Sequence, residues 1–507
     1  MGAPLTMGYR TAMAASLKRD RYFCLLIGIL LLSLFFRVYG LSAGPLRNDE
    51  AYDTVFRGMD AGVAIQLYRL LDWGPPVFYR LIIRLSSSFL PYNEWGLRYP
   101  SVIFGAISVL LIYYLGAHLF SKKTGLIAAL LMGINPFHIY YSQLARGYSL
   151  FIMLVMLSSL AFFQFIKSRG YRSLLAYTAV TLLALYTHET LVFLVVVQNV
   201  LFFLQYRGSG RALLKWLIPN FLFVAAFFGI YNFFFFHRVK VRYTETLWWI
   251  PRPEPGALFG TLKSFLYGPY YHLTNHWFQL LLGMFAFFVL FLLIHSLASP
   301  GREAWKLSYL VLLLIVPVAS VYIWSVLGTP YSLYNNDYLV VCLPPLILLL
   351  SYAISGLKRG HIPVFVILFL AVVGPLIVLG GYSTVQNRDV RGAAGYIQSI
   401  NPDALILVYP SWYMQLANFY LGQRSRISST KSGEEFRQAI GNETEFWILF
   451  GSAELPGDYE SIYGITDNET AKGYDVTVSR ARGIDIFRFV RRGCGHHPCR
   501  STDNGDE

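Results

Sequence analysis

Charge is what this chain has little of. Only 14% of its 507 residues are Asp, Glu, Lys or Arg, against about 25% in an ordinary soluble protein, which excludes a large soluble enzyme. Cysteine is scarce as well, at four residues, and a disulfide framework is excluded with it. Cys24 and Cys342 lie in apolar runs, while Cys494 and Cys499 stand beside His496 and His497 near the end, with no second ligand cluster spaced to complete a zinc site. The 42 basic residues outnumber the 28 acidic ones for a net +14, yet they recur in short clusters rather than one tract. That spacing argues against a nucleic-acid arm and for anionic lipid or phosphate. No internal repeat is visible. The first apolar run, Tyr22 to Leu41, exceeds a signal-peptide core and lacks a small-residue cleavage pattern, so it reads as a first membrane helix.

What is present in abundance is apolar sequence, 55% of the chain, gathered into runs of about 20 residues, the span of a bilayer-crossing helix. Candidate spans are Tyr22 to Leu41, Pro100 to Phe120, Thr124 to Tyr141, Tyr148 to Ile166, Ser173 to Tyr186, Leu191 to Tyr206, Leu213 to Phe236, Trp277 to Leu297, Leu307 to Leu327, Tyr338 to Leu357 and Ile362 to Tyr382. This predicts a mostly α, polytopic helical membrane bundle of about eleven transmembrane helices. Lys and Arg alternate between borders as the positive-inside rule requires: Lys18, Arg19 and Arg21; Lys122 and Lys123; Lys167, Arg169 and Arg172; Arg207, Arg211 and Lys215; Arg302 and Lys306; Lys358 and Arg359. These borders are assigned to the cytoplasm.

The large polar segments then fall on the outer face: a first loop from Ser42 to Tyr99, a second from His237 to His276, and everything after Tyr382. Within the first loop, Val63 to Leu71 and Val77 to Leu90 read as amphipathic helices lying on the membrane. After Tyr382, β-type runs at Ala404 to Tyr409, Phe446 to Phe450 and Ile484 to Val490 alternate with helical patterns at Val390 to Ser399, Met414 to Leu421 and Glu434 to Ile440. The alternation predicts a small C-terminal α/β domain on the extracytoplasmic side. The expected division is residues 1–382 in the membrane domain, 383–492 in the α/β domain and 493–507 as a disordered tail.

Polar clusters at the outer ends of the spans carry the chemistry. Asp49 and Glu50 stand where the first helix leaves the bilayer, and ionised groups at such a border need water, partners or a task. Tyr141-Ser-Gln143-Leu-Ala-Arg146-Gly-Tyr148 follows the third span, and Tyr186-Thr-His188-Glu189 ends the fifth on the same face. Each alone could be a helix end with snorkelling side chains. Together, with the basic loop of His237, Arg238, Lys240 and Arg242, they outline a pocket with one acid and several cations, suited to an anionic lipid. A phosphate leaves without a proton, unlike the alkoxide of a glycosidase substrate. Sugar transfer from a lipid phosphate therefore needs one general base for the acceptor hydroxyl, plus cationic donors for the developing phosphate charge.

In chain order, several pieces resemble the GT-C membrane glycosyltransferases, in the branch of the protein O-mannosyltransferases and lipid A aminoarabinose transferases. They are Asp49-Glu50; Asp72-Trp-Gly-Pro75-Pro76-Val-Phe-Tyr79; Leu97-Arg98-Tyr-Pro100-Ser101-Val-Ile-Phe-Gly105; Asn135-Pro136-Phe137-His138 through Tyr148; and Tyr186-Thr187-His188-Glu189. The resemblance implies an inverting glycosyltransferase that takes a hexose or pentose from a polyprenyl-phosphate donor. The acceptor, a protein, glycolipid or envelope polysaccharide, would be met on the outer face of the cytoplasmic membrane.

By resemblance Asp49 is the general base, with Glu50 as alternative or orienting neighbour. Arg146 contacts the donor phosphate, and Tyr148, His188 and Glu189 line the same pocket. Lys240 and Arg242 are further phosphate contacts, and Arg98 either binds substrate or holds the first loop. The reaction requires no cofactor. Where relatives carry a carboxylate past the arginine, Gly147 and Tyr148 stand here, so no metal ligand is assigned and a divalent metal would lack that pair. Two other departures are Gly74, where many relatives have His, and Asn335-Asn-Asp337-Tyr338, where relatives often show Arg-Tyr. A competing expectation is a transporter or flippase of lipid-linked sugars, which would share a basic, aromatic cavity but usually shows paired repeats and midplane helix breaks.

Overall fold

The structure is a computed structural model. It describes residues 5–54, 77–234, 250–268, 303–327, 332–357, 389–409, 413–422, 426–429, 438–441, 443–451 and 472–492, with a few isolated positions between them. The contacts divide the chain into two compact units, Met1–Leu41 with Phe56–Ser383, and Ser42–Val55 with Thr384–Glu507. The segment after the first helix therefore groups with the C-terminal part of the chain.

Along the chain the described elements begin with α1 (Leu5–Val38), α2 (Asn48–Thr54), α3 (Val77–Ser86), α4 (Glu94–Leu119), α5 (Lys122–Ile134), α6 (Pro136–Ser142) and α7 (Tyr148–Ser168). There follow α8 (Tyr171–Leu185), α9 (Leu191–Tyr206), α10 (Gly210–Phe234), α11 (Ala257–Tyr267), α12 (Ala304–Leu327), a 3-10 helix (Asn336–Cys342) and α13 (Leu343–Gly356). Six described helical stretches are long and apolar enough to cross a membrane, and α8 and α9 are shorter apolar helices. The chain is a multi-pass, mostly helical membrane protein, since in lipid every backbone group of a spanning segment must be satisfied within the protein. The spans expected at Trp277 to Leu297 and Ile362 to Tyr382, the amphipathic helix at Val63 to Leu71 and the tail 493–507 lie outside the described residues, apart from isolated positions. The amphipathic helix expected from Val77 is present as α3, with Tyr79 and Ile83 buried and Leu81, Leu85 and the following Phe89 exposed.

One expectation is corrected. The continuous span expected over Thr124 to Tyr141 is two helices, α5 and α6, broken at Asn135. Asn135 has extended backbone (φ −66°, ψ 120°) and its side chain accepts the N–H of His138 at 2.8 Å. Pro136, which lacks an N–H, takes the first position of the new helix. A residue before proline is driven out of the helical region, so apolar character continued across the break while the backbone did not. Likewise the tenth span opens as a 3-10 helix, capped by the Asn335 side chain, before Pro344 and Pro345 start α13.

Small residues let these helices approach. At Gly125 an added methyl would stand 2.4 Å from the Tyr113 carbonyl oxygen of α4, and at Gly105 it would stand 2.2 Å from Ser142 Oγ of α6. Close approach through small residues replaces hydrophobic driving force between helices in lipid.

In the other unit the helices α14 (Val390–Ile400) and α15 (Met414–Leu421) accompany strands β1 (Leu405–Tyr409), β2 (Arg426–Ser429), β3 (Glu445–Gly451), β4 (Tyr474–Ala481) and β5 (Ile484–Arg491). The sheet runs β2-β1-β3-β5-β4, with β1 parallel to both neighbours and β5 antiparallel to β3 and β4. Leu405, Leu407, Phe446, Ile448, Phe450, Phe487 and Phe489 form its buried core. The three strands anticipated from apolar runs are β1, β3 and β5, the interior of the sheet. The two that apolar runs do not announce, β2 and β4, are its edges, where residues face water and carry Arg, Ser, Thr and Asp. Residues 42–55 pack here. The Leu46 N–H donates to Tyr420 Oη of α15 at 2.7 Å, and Arg391 of α14 donates to the carbonyls of Ser42 (3.2 Å) and Ala43 (3.1 Å).

Replacing Gly105 with Val should lower the melting temperature of the purified protein, at a cost of about 1 to 3 kcal/mol for overpacking a closed contact. Gly208→Ala, where nothing lies within 4 Å of the added carbon, should change stability by less than about 0.5 kcal/mol. Equal melting points for the two variants would refute the close α4–α6 contact.

Candidate active site

The two adjacent carboxylates have different environments. The Arg47 carbonyl accepts the N–H groups of Glu50 (3.0 Å) and Ala51 (3.1 Å), making Arg47 the cap of α2. Glu50 Oε2 reaches back to accept the Arg47 N–H at 2.8 Å, the reciprocal half of a capping box. Glu50 is wholly buried, whereas Asp49, one residue earlier and a third of a turn away, is exposed. Tyr52, one turn on, has its hydroxyl pushed up to about 12 by burial and then by the Asp49 charge, so it stays protonated at neutral pH.

In the helical unit a second cluster draws on α6, α7, the turn between them, the α8–α9 turn and the 3-10 helix. Arg146 lies in the turn between α6 and α7, with its carbonyl accepting from Ser101 Oγ at 3.3 Å; Ser101 in turn bonds Tyr79 Oη at 2.8 Å. Its guanidinium stands 5.9 Å from the Tyr148 ring centre. Tyr148 meets Tyr141 edge-on at 4.9 Å and His188 at 5.9 Å. His188, in the α8–α9 turn, stacks on Phe151 at 4.9 Å and lies 6.2 Å from Tyr338 of the 3-10 helix. Tyr141 Oη donates to Asp337. Arg146, Tyr148, His188 and Glu189 are thus brought together, as the sequence motifs imply, and Asp337 joins them.

His188 is 8% exposed. Its Nδ1 accepts the Thr190 N–H at 3.3 Å and stands 2.9 Å from Thr190 Oγ1, so in the neutral ring the proton sits on Nε2. Burial lowers its pKa below the usual 6.5; Glu189, 3.9 Å away, and Asp337 oppose that while the Arg146 charge adds to it. A neutral imidazole donor beside a guanidinium and tyrosine hydroxyls can hold the oxygens of an anion without competing charge. The carboxylates Glu189 and Asp337 can accept from hydroxyls.

Beneath this cluster lies Arg37, wholly buried in α1. It donates to the carbonyls of Gly133 (2.9 Å) and Met132 (3.3 Å) at the broken end of α5, to Ser33, and to His138 Nδ1 at 2.5 Å. Gln143 returns the favour, its amide donating to the carbonyls of Phe36, Arg37 and Tyr39 at the end of α1, at 3.0 to 3.2 Å. Each helix end leaves orphan carbonyls; those of α5 are satisfied by Arg37 of α1, and those of α1 by Gln143 at the end of α6. Arg98, 5% exposed, donates to the Leu41 carbonyl at 2.7 Å, which ties the end of α1 to α4. Lys240 and Arg242 lie outside the described residues. Motif reasoning passed over Arg37, whose signal was a single cation inside an apolar span, and noted Asp337 only as part of a departure from the relatives, with no role in the site. Among the described residues no three His, Cys, Asp or Glu side chains gather as a metal site.

Residues 74–233 match the family described as dolichyl-phosphate-mannose-protein mannosyltransferase. Among solved structures, ArnT from Cupriavidus metallidurans bound to undecaprenyl phosphate is similar over 92% of this chain and 98% of its own, with a TM-score of 0.59 and 14% identity. The archaeal oligosaccharyltransferase AglB from Archaeoglobus fulgidus, in complex with an inhibitory peptide and a dolichol-phosphate, is similar over 92% of this chain and 74% of its own, at a TM-score of 0.51 and 12% identity. No curated protein sequence matches the chain. The fold is that of the GT-C glycosyltransferases. On this GT-C frame the family match over 74–233 takes in Arg98, Arg146, Tyr148, His188 and Glu189, whereas Asp49, Asp337 and the C-terminal sheet lie outside it.

Because His188 has a lowered pKa in the folded state, the unfolded chain takes up its proton first as pH falls. Stability should therefore be full above the unfolded value of about 6.5 and decline below it. His188→Gln, which stays neutral, should show a smaller drop in melting temperature between pH 7.5 and 5.5 than the wild-type protein. An identical drop would remove His188 as a buried neutral donor.

Proposed function

We propose that this protein is an inverting glycosyltransferase that moves a sugar from a polyprenyl-phosphate donor to a hydroxyl of a protein, glycolipid or envelope polysaccharide. The observation that carries the reading is the split between the two carboxylates: Glu50 is committed to capping its own helix, and Asp49 is left exposed beside it. Transfer from a phosphate requires a base for the acceptor hydroxyl and no acid for the leaving group, unlike glycoside hydrolysis, and exposed Asp49 suits that role.

In the proposed step Asp49 takes the proton of the acceptor hydroxyl as its oxygen bonds the anomeric carbon. The bond from that carbon to the phosphate oxygen breaks with its electron pair, releasing polyprenyl phosphate and inverting the centre. Arg146, Tyr148 and His188 hold the negative charge gathering on the leaving phosphate, and Lys240 and Arg242 are proposed as further contacts. Asp337 and Glu189 accept from sugar hydroxyls. The lipid phosphates named with ArnT and AglB and the mannosyltransferase family match support a donor of this class. The charge alternation of the sequence supports a site on the outer face of the cytoplasmic membrane, with residues 383–492 extracytoplasmic.

Incubating the purified protein with a panel of polyprenyl-phosphate sugars tests the reading: time-dependent release of sugar from at least one donor is expected, and flipping without cleavage would replace the enzyme with a transporter. Asp49→Asn should reduce turnover by about a thousandfold or more, within the range of a lost general base and its positioning, while melting temperature is kept. Glu50→Gln, whose amide oxygen can still accept from Arg47, should keep measurable turnover; the reverse ranking would exchange the two roles. Arg146→Ala should raise the donor KM at least tenfold, the loss of one charge-assisted contact, and an unchanged donor dependence would exclude the phosphate role.

A further inference from the structure

At the far end of α7 from Tyr148 there is a second cationic cluster that the proposed reaction does not use. Twenty-one residues of α7, about 30 Å at helical rise, separate the two. Arg169 ends α7 with φ at 52°, the left-handed region, its N–H bonded to the Phe165 carbonyl. Glycine is the residue that takes this position without strain, so a guanidinium is held here against a backbone preference. Lys215 of α10 reaches toward the Arg169 carbonyl at 3.5 Å and lies over the Tyr171 ring at 4.4 Å; Arg169 lies over Tyr206 at 4.9 Å. With Arg211 these two cations line a cavity of about 90 Å³ whose other walls include Phe202, Tyr206 and Ser209. The rings form a stacked floor, Phe202 on Trp216 at 4.4 Å and Phe165 on Trp216 at 5.7 Å.

Among the described residues none of the three cations has an ion-pair partner. Three positive charges from two sides of one cavity repel one another unless an anion sits between them. Topology signalling alone needs cations in a loop and gives no reason for them to converge on an aromatic-floored cavity. Ring stacking covers the faces of Arg169 and Lys215 and leaves their N–H groups in position to donate.

We infer that this cavity binds the phosphate of an anionic phospholipid in the leaflet opposite the candidate active site. The lipid, rather than a free anion, is indicated by position and chemistry: the cavity sits where α7 and α9 end and α10 begins, its floor is aromatic, and Leu204 and Leu214 in the flanking turns of α9 and α10 are exposed, giving acyl chains an apolar surface. Basic pockets between transmembrane helices take lipid headgroups by this combination.

The test uses the full-length protein in neutral detergent. Phosphatidylglycerol should raise the melting temperature and be retained in native mass spectra, whereas phosphatidylcholine and inorganic phosphate at the same concentration should do neither. Each of Arg169→Gln, Arg211→Gln and Lys215→Gln should weaken phosphatidylglycerol binding roughly fivefold, and the triple variant on the order of a hundredfold. Should the triple variant fold poorly, Arg211→Gln alone serves, since Arg211 is exposed and makes no ring contact like those of the other two. Equal stabilisation by inorganic phosphate, or wild-type lipid retention in Arg211→Gln, would overturn the inference.

Discussion

The helical unit depends on how it satisfies carbonyls where a helix breaks inside an apolar environment. Between Ile134 and Pro136 the chain leaves helical geometry, and the last carbonyls of α5 lose their partners. Water is not there to replace them. Arg37 replaces them, with five donors in a planar fork that can reach Met132, Gly133 and His138 together. A lysine, with one point charge, could not span that set. The cost of burying the guanidinium is offset because the Gly133 and Met132 carbonyls it reaches would otherwise lack donors.

From that anchor the geometry of the cluster follows. The break leaves α6 only seven residues long, Gln143 ties its end back to α1, and Gly105 allows α4 close enough for Ser101 to hold the Arg146 carbonyl. Arg146 is therefore fixed through its backbone while its guanidinium is left to the aromatic cluster of Tyr148, Tyr141 and His188. A flexible outer loop would not give a cation this definition, and phosphate stabilisation is worth most when the donors are already in place.

The C-terminal unit applies the same economy to a carboxylate. Tyr420 and Arg391 grip the backbone of residues 42–46, Glu50 locks the first turn of α2, and Asp49 is presented on a helix too short to persist alone. The α/β domain is thus the support of the segment that carries Asp49 as well as a domain in its own right. Within its sheet the interior strands announce themselves by apolar runs, while β2 and β4 do not, because an edge strand has one side facing water and needs no continuous apolar sequence.

Composition and periodicity by themselves determined that this is a multi-pass helical protein with an α/β appendage, because the cost of exposing apolar runs to water, or charge to lipid, is decided residue by residue. The ordered motifs likewise determined which turns bring Arg146, Tyr148, His188 and Glu189 to one cluster. Tertiary structure decided the rest. Which of two neighbouring carboxylates is exposed turned on a 2.8 Å bond to Arg47. The tie between Arg98 and the end of α1 turned on the Leu41 carbonyl, and the place of Asp337 turned on Tyr141, nearly two hundred residues earlier in the chain. These are hydrogen bonds between distant segments, set by three-dimensional proximity, and no local pattern of residue types encodes them.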